Sequence, residues 1–335
     1  MKINQIDTYP EALLSCEAKV LHALFPQPTL LHLQGKRTHP LFISVLLHGN
    51  ETTGFLALQR LLNQYATQEL PRSLSIFFGN TRAAESGLRR LDSQPDYNRI
   101  WPGTEIADCP ETQFAKEIVD IMCEKEVFAS IDIHNNTGLN PHYACINKLD
   151  NRYLHLANLF GRLVVYFLRP LGVQSAAFAE ICPAVTLECG RPGQQYGIDH
   201  AYAYLKDCIH ISELTTHPVL TQDIDLFHTT AQVKIQEGHS FSFSDSSADL
   251  FFDSGIERMN FTEISAGTCF GSLQSNDAMP LSAINEQGPD VTRQFFKIDN
   301  QQLQIRRNTM PSMLTLDERV IRQDCLCYLM ERIRL

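Results

Sequence analysis

His48 and Glu51 stand three residues apart, and the apolar run Leu41–Leu47 (LFISVLL) leads straight into them. From Thr52 a helical pattern follows, with Phe55, Leu58, Leu62 and Tyr65 at helical spacing. At the start of a helix, side chains three residues apart can point to the same side, which offers one imidazole and one carboxylate to a single cation. A catalytic metal centre needs a third protein ligand and an open position for water. His134 is the candidate third ligand. It sits in Asp132-Ile133-His134, where strand alternation puts Asp132 on the face of His134 and makes it a natural hydrogen-bond partner for a metal-bound imidazole. Two imidazoles and a carboxylate fit catalytic Zn²⁺ better than a thiolate-rich structural site. An H-x-x-E pair among twelve histidines also arises by chance, so the elements that would carry these residues matter.

The first half of the chain alternates apolar β-rich runs with helical patterns. Leu74–Phe78 (LSIFF) reads as a second strand. Phe128–Ile133 (FASIDI) reads as a third, ending at His134, and Ala184–Leu187 (AVTL) as a fourth, ending at Glu188. Helices are expected from Thr52, over Glu111–Lys125 and over Tyr196–Glu213. Strands alternating with helices imply an α/β layer fold, a mixed sheet flanked by helices. Ligands of such sheets bind at the carboxyl ends of strands, where His48, His134 and Glu188 all fall. After about Thr216 the texture changes to short strands, at Val219–Asp225, Gln232–Ile235, Ser240–Phe243 and Phe295–Ile298, with Ser244–Asp253 read as a surface loop. This predicts a catalytic α/β domain over residues 1–217 and a smaller β-rich domain over 218–335.

Between the first ligand pair and His134 lies a long polar stretch, residues 79–103, with Arg82, Arg89, Arg90 and Arg99. A loop this long in a compact domain is more often functional than idle. Asn98-Arg99 stands beside the apolar Ile100-Trp101, an anchor from which a guanidinium can grip a carboxylate through two hydrogen bonds. This local positive charge lies in an acidic chain. Its 28 Lys and Arg against 38 Asp and Glu give a net charge of −10, which argues against a nucleic-acid partner. The ten scattered cysteines form no C-x-x-C pair and read as reduced, mostly buried small hydrophobes; Cys325 and Cys327 read as one apolar face rather than a metal or redox pair. With no signal-peptide pattern and no membrane-length apolar run, the expected location is the cytoplasm, with no membrane partner.

Several phrases recur together in one family. They are HGNE at 48–51, the GN-x-x-A phrase from Gly79 to Ala83, the R-x-x-D…D-x-N-R pattern from Arg89 to Arg99, D-I-H at 132–134 and T-x-E-x-G at 186–190. In this order, over roughly residues 40–215, the chain resembles the succinylglutamate desuccinylase and aspartoacylase family, part of the zinc carboxypeptidase-like superfamily. The resemblance implies zinc held by His48, Glu51 and His134, with Glu188 as the general base. It also implies Arg89 at the scissile carbonyl and Asn98 and Arg99 on the carboxylate of a small N-acyl amino acid or short peptide substrate. Each role makes physical sense, since zinc acidifies its water and a nearby carboxylate can take the proton and pass it to the leaving amine.

The chain departs from the family in places that bear on specificity. The segment between Arg89 and Arg99 is about two residues longer than usual, so Arg90 competes with Arg89. Thr81 follows Asn80 where the family usually has proline. Aspartoacylases carry an arginine about ten residues before the catalytic glutamate, and Ala177-Phe178 stands there instead. No tyrosine occurs between Tyr204 and Tyr328 to reach over the substrate from the C-terminal domain. Tyr143, Tyr166 and Arg169 are pocket candidates that equally read as core and surface. Two rival functions use the same residues, a metallocarboxypeptidase acting on peptides and a catalytically silent binding protein of the same fold. The sequence leaves open whether the chain is a monomer or a homo-oligomer.

Overall fold

The computed structural model describes residues 3–276 and 278–334. The chain divides into two compact units. One comprises the chain through Asn135 with His142–Tyr166 and Pro170–Asp225; the other comprises Asn136–Pro141, Phe167–Arg169 and the chain from Leu226 onward.

The first unit is a mixed sheet flanked by helices. Its strands are β1 (Asn4–Ile6), β2 (Thr29–Leu33), β3 (Gly35–Val45), β4 (Leu70–Phe78), β5 (Ala129–His134), β6 (Tyr143–Ile146), β7 (Leu163–Tyr166) and β8 (Ala184–Glu188), in the spatial order β1-β2-β4-β3-β5-β8-β6-β7. The central strands β4, β3, β5 and β8 run parallel, while β2 pairs with β4 and β6 with β8 in the antiparallel sense. The helices are α1 (Leu21–Leu24), α2 (Thr53–Gln64), α3 (Thr81–Glu85), α4 (Pro110–Glu124), α5 (Asn151–Asn158), α6 (Gln174–Phe178) and α7 (Gln195–His210). Parallel central strands are buried on both faces, which is why LFISV, FASIDI and AVTL read as near-continuous apolar runs.

Register assigns the two faces. Ile43, Ile131 and Val185 align across β3, β5 and β8, as do Val45, Ile133 and Leu187. This face meets α2, where Gly54 lies so close that a Cβ there would be 2.7 Å from Ile133. On the opposite face Ser44, Asp132 and Thr186 align with Phe77 of β4, and Phe42 and Ser130 with Ser75. That face is covered by aromatic packing: Phe42 stacks on Phe178 of α6 at 4.3 Å, and Phe77 meets Trp101 and Phe114 at 5.9 Å each. The same face carries His134 and Glu188 at its rim, so buried polar residues continue from the rim into the sheet.

The second unit is β-rich. Strand β9 (Asp225–Ile235) pairs with β13 (Leu281–Asn285) and with β17 (Cys327–Arg332), which in turn pairs with β16 (Met310–Ser312), all antiparallel. A second sheet has the order β10 (Phe241–Ser242), β11 (Leu250–Phe251), β12 (Cys269–Leu273), β15 (Gln302–Ile305) and β14 (Phe296–Asp299). Short helices α8 (Thr292–Phe295) and α9 (Glu318–Gln323) complete it. Two expectations fail here. Residues 219–224 form turns rather than a strand, because Pro218 cannot donate to a ladder and a turn closes from Leu220 to Asp223; the strand starts at Asp225. The polar stretch 244–253 hides Leu250 and Phe252, both fully buried, so it contributes a strand and core residues as well as a loop. Cys325 and Cys327 are buried and in no disulfide, Cys327 within the apolar core and with its thiol pushed well up by burial. None of the ten cysteines is in a disulfide. Among the described residues no helix is long and apolar enough to cross a membrane.

Candidate metal centre

Strand β3 ends at Val45, and Leu46 at φ 59° turns the chain sharply so that His48 faces inward above the sheet. Gly49 makes the turn fit. A Cβ at this position would lie 2.2 Å from the backbone nitrogen of Ala84 in α3, and the Gly49 N–H donates to the Arg89 carbonyl at 3.0 Å. Glu51 follows just ahead of α2, and His134 closes β5.

These three side chains converge. One ligand atom from each of His48, Glu51 and His134 lies within 4.8 Å of the others, and all three residues are buried. Nδ1 of His48 is 2.8 Å from Glu51 Oε1, and Nδ1 of His134 is 2.7 Å from Oε2. Behind each imidazole stands another carboxylate. His134 Nε2 contacts Asp132 Oδ2 at 2.7 Å, and Ser44 Oγ donates to the other oxygen of Asp132 at 2.7 Å. His48 Nε2 contacts Asp96 Oδ1 at 2.9 Å.

A carboxylate only accepts, so both Nε2 atoms carry hydrogen and both Nδ1 atoms are left with lone pairs aimed at the Glu51 oxygens. Such an arrangement is repulsive unless a proton or a metal cation lies among the three groups. Without a metal, protons take that place. Burial and Arg89 push the His48 imidazole down, but Glu51 and Asp96 outweigh them and raise it; burial opposes protonation of His134 too, and Asp132 with Glu51 raise it well above its ordinary value. Burial alone would raise Glu51 and Asp96, yet the imidazoles hold Glu51 far below the usual carboxylate range, and His48 and Arg89 do the same for Asp96. Two imidazoles and a carboxylate backed by further carboxylates form the donor set that a divalent first-row metal takes.

Asp96 is the residue of this cluster that sequence reading missed. Its signal was there: two ligand imidazoles each need an orienting acceptor, and only His134 had been given one. Asp96 also accepts from the Asn98 backbone N–H at 2.8 Å and from Arg89 Nη2 at 3.2 Å. Arg89 reaches Glu51 as well, Nη1 to Oε1 at 3.4 Å, whereas Arg90 donates to the Gln94 carbonyl at 3.1 Å. Of the two competing arginines, Arg89 is the one brought to the cluster.

Asn98 and Arg99 sit on a firmly anchored loop. Trp101 is fully buried, with Nε1 donating to the Tyr97 carbonyl at 2.9 Å and its N–H to the Gly172 carbonyl at 3.0 Å. Asn98 Oδ1 accepts from the Gln174 N–H at 3.0 Å, Asn98 Nδ2 lies 3.4 Å from His134 Nε2, and Arg99 Nη1 donates to the Asn98 carbonyl at 2.8 Å. Glu188 ends β8 in register with His134, buried at the same rim; burial pushes the neighbouring Cys145 and Cys189 thiols well up, and the Glu188 charge adds to it. Ala177 and Phe178 are buried in the core under β3, so no side chain there reaches a ligand. Tyr143 is buried opposite Glu188 on β6, and Arg169 donates to the Glu286 carbonyl within the second unit.

The profile of the Succinylglutamate desuccinylase/Aspartoacylase catalytic domain matches residues 38–200. Over this span the chain is similar to the catalytic domain of the succinylglutamate desuccinylase/aspartoacylase family. The span contains His48, Glu51, Asp96, His134 and Glu188. Solved structures of the family share its fold at low identity. The succinylglutamate desuccinylase from Chromobacterium violaceum is 16% identical with a TM-score of 0.63, covering 98% of this chain and 99% of its own. That from Vibrio cholerae is 14% identical with a TM-score of 0.59, covering 89% and 82%. Murine aminoacylase 3 is 15% identical with a TM-score of 0.57, covering 90% and 97%. No curated protein sequence matches the chain.

Proposed function

We propose that this succinylglutamate desuccinylase/aspartoacylase family member is a zinc-dependent hydrolase of the amide bond of an N-acyl amino acid or small acylated peptide. One observation carries the reading. His48, Glu51 and His134 converge from two strand ends, and each imidazole is oriented by its own carboxylate, Asp96 on His48 and the buried Asp132 on His134. Zinc held by these residues would acidify a coordinated water and polarise the scissile carbonyl.

The remaining chemistry belongs to the side chains around it. Glu188 takes the proton from the attacking water and delivers it to the leaving amine nitrogen, which must leave protonated. The Arg89 guanidinium, already turned toward Glu51, donates to the oxygen on which negative charge develops. Arg99 with Asn98 holds the carboxylate of the amino-acid part, so that the amide lies in one orientation. With Ala177-Phe178 in the core, the cation that would pair with an aspartate side chain in aspartoacylases is missing, which turns the reading away from N-acetylaspartate.

The test is metal analysis of the purified protein together with the Glu188→Gln variant. About one zinc per chain and at least a ~100-fold loss of amide hydrolysis in the variant are expected. A protein that hydrolyses acyl amino acids without metal, or a variant as active as wild type, overturns the proposal. Mass spectrometry of products from a mixed library separates a released acyl group from a released C-terminal residue, which would mark a carboxypeptidase.

A further inference from the structure

Asn135 follows the ligand His134 and is buried, yet its side chain faces neither solvent nor the ligand atoms. It joins two other segments. Oδ1 accepts from the Thr53 backbone N–H at 3.2 Å; Nδ2 donates to Thr53 Oγ1 at 2.9 Å and to the Gly190 carbonyl at 2.7 Å. Its own backbone N–H donates to Glu51 Oε2 at 3.1 Å. Thr53 lies two residues after Glu51 and Gly190 two residues after Glu188.

The geometry is over-determined at both ends. Thr53 opens α2, and its N–H has no partner inside the helix, while the preceding residue Thr52 supplies no side-chain cap. Asn135 therefore caps α2 from just beyond the end of β5. At the other end, Gly190 adopts φ 69°, a conformation that favours glycine, and a Cβ there would lie 3.0 Å from His142 Nε2. The turn is pressed between His142 and Asn135, and the Cys189 N–H ties it to the His134 carbonyl at 2.9 Å.

We propose that Asn135 is a positioning residue, whose amide fixes the spacing between the segment that carries Glu51 and the turn that carries Glu188. This rests on the proposed metal centre and general base. The side chain uses both amide hydrogens and one carbonyl lone pair, each on a different group. Aspartate has the same shape but has lost both donors, and it sets a carboxylate oxygen against the Gly190 carbonyl.

The test compares Asn135→Asp with wild type by competition for zinc between the full-chain apoprotein and a chromophoric chelator, a readout independent of turnover. Loss of an orienting partner predicts about 10- to 100-fold weaker zinc binding. Hydrolysis should show a fall in kcat of similar size with KM little changed. That fall should vanish when the substitution is made in the Glu188→Gln background, because there is no longer a base to misplace. A merely structural role would lower the melting temperature and leave zinc affinity, and the coupling to Glu188, unmoved. If zinc binds and Glu188→Gln abolishes turnover while Asn135→Asp matches wild type in affinity and kcat, this proposal falls and the metal centre stands. If Asn135→Asp does not fold, Thr53→Val removes one of the three side-chain bonds. A loss of about two- to fivefold in zinc affinity then supports the proposal, and an unchanged affinity overturns it.

Discussion

Two adjacent arginines, Arg89 and Arg90, have the same chemistry and opposite employment. Arg89 sits between Glu51 and Asp96, where two carboxylates hold its guanidinium toward the ligand cluster, while Arg90 is engaged with the Gln94 carbonyl. Removing a cationic donor at a developing oxyanion costs about 3 kcal/mol, which is roughly 100-fold in kcat. Arg89→Ala is therefore expected to lower kcat by about that factor, with the metal retained, and Arg90→Ala to stay within about threefold of wild type. Steady-state kinetics on any turned-over acyl amino acid decides, and equal losses in the two variants would reject the assignment. Sequence spacing could not separate this pair, because the loop is irregular and no periodicity tells which side chain turns inward. Asp96 escaped notice for the same reason: in a loop, an acidic residue looks like solvated surface charge until its neighbours are known. His48, His134 and Glu188 were readable because each ends an apolar run, where a polar group is costly unless it has partners, and Glu51 because it stands three residues from His48.

At the scale of elements, the turn between β3 and α2 shows how little freedom the centre has. Gly49 passes against the backbone of Ala83 and Ala84 in α3, so any Cβ must push that helix away and drag Arg89 with it. Gly49→Ala is expected to destabilise the protein by about 1–3 kcal/mol, the usual cost of overpacking. Urea unfolding measures this, and a midpoint equal to wild type would show that α3 yields freely. The central strands were readable from composition because burial on both faces demands apolar residues throughout. The strands β1, β6 and β7 were not. They are three or four residues long, and their pairing is decided by partners distant in the chain, which local patterns do not report. In the second unit, Ser244–Asp253 looked like an exposed loop because serine and aspartate outnumber Leu250, Phe251 and Phe252, yet those few apolar residues fix its fold.

For the molecule as a whole, three half-buried histidines away from the ligand cluster have their imidazoles pushed down by partial burial. His32 on β2 contacts Ser75 Oγ at 2.9 Å, and burial, aided by Lys125, pushes its imidazole down to about 4. His142 and His200, whose Nδ1 atoms are 2.7 Å apart, are lowered by burial too. A histidine lowered in the folded state binds fewer protons there than in the unfolded chain between its folded value and about 6.5. Its contribution to stability is therefore complete above about pH 6.5 and is lost as the pH falls toward 4. The denaturant midpoint is expected to fall between pH 7.5 and pH 5, above the carboxylate range, and to fall less in His32→Gln than in wild type. An identical pH response in the two proteins would refute the assignment.

The order of the strands has a consequence for how such a centre comes into being. β5 lies between β3 and β8, so the candidate ligands His48 and His134 and the rim residue Glu188 meet only through parallel pairings between segments far apart in the chain. Contacts of that kind form slowly, because long loops must close before any pairing rewards them. During synthesis, the bed of the metal centre is incomplete until the chain has grown past Glu188, and until then β5 presents a bare hydrogen-bonding edge to its surroundings. The same arrangement that keeps the finished centre buried makes its unfinished precursor the stretch most in need of protection from other chains.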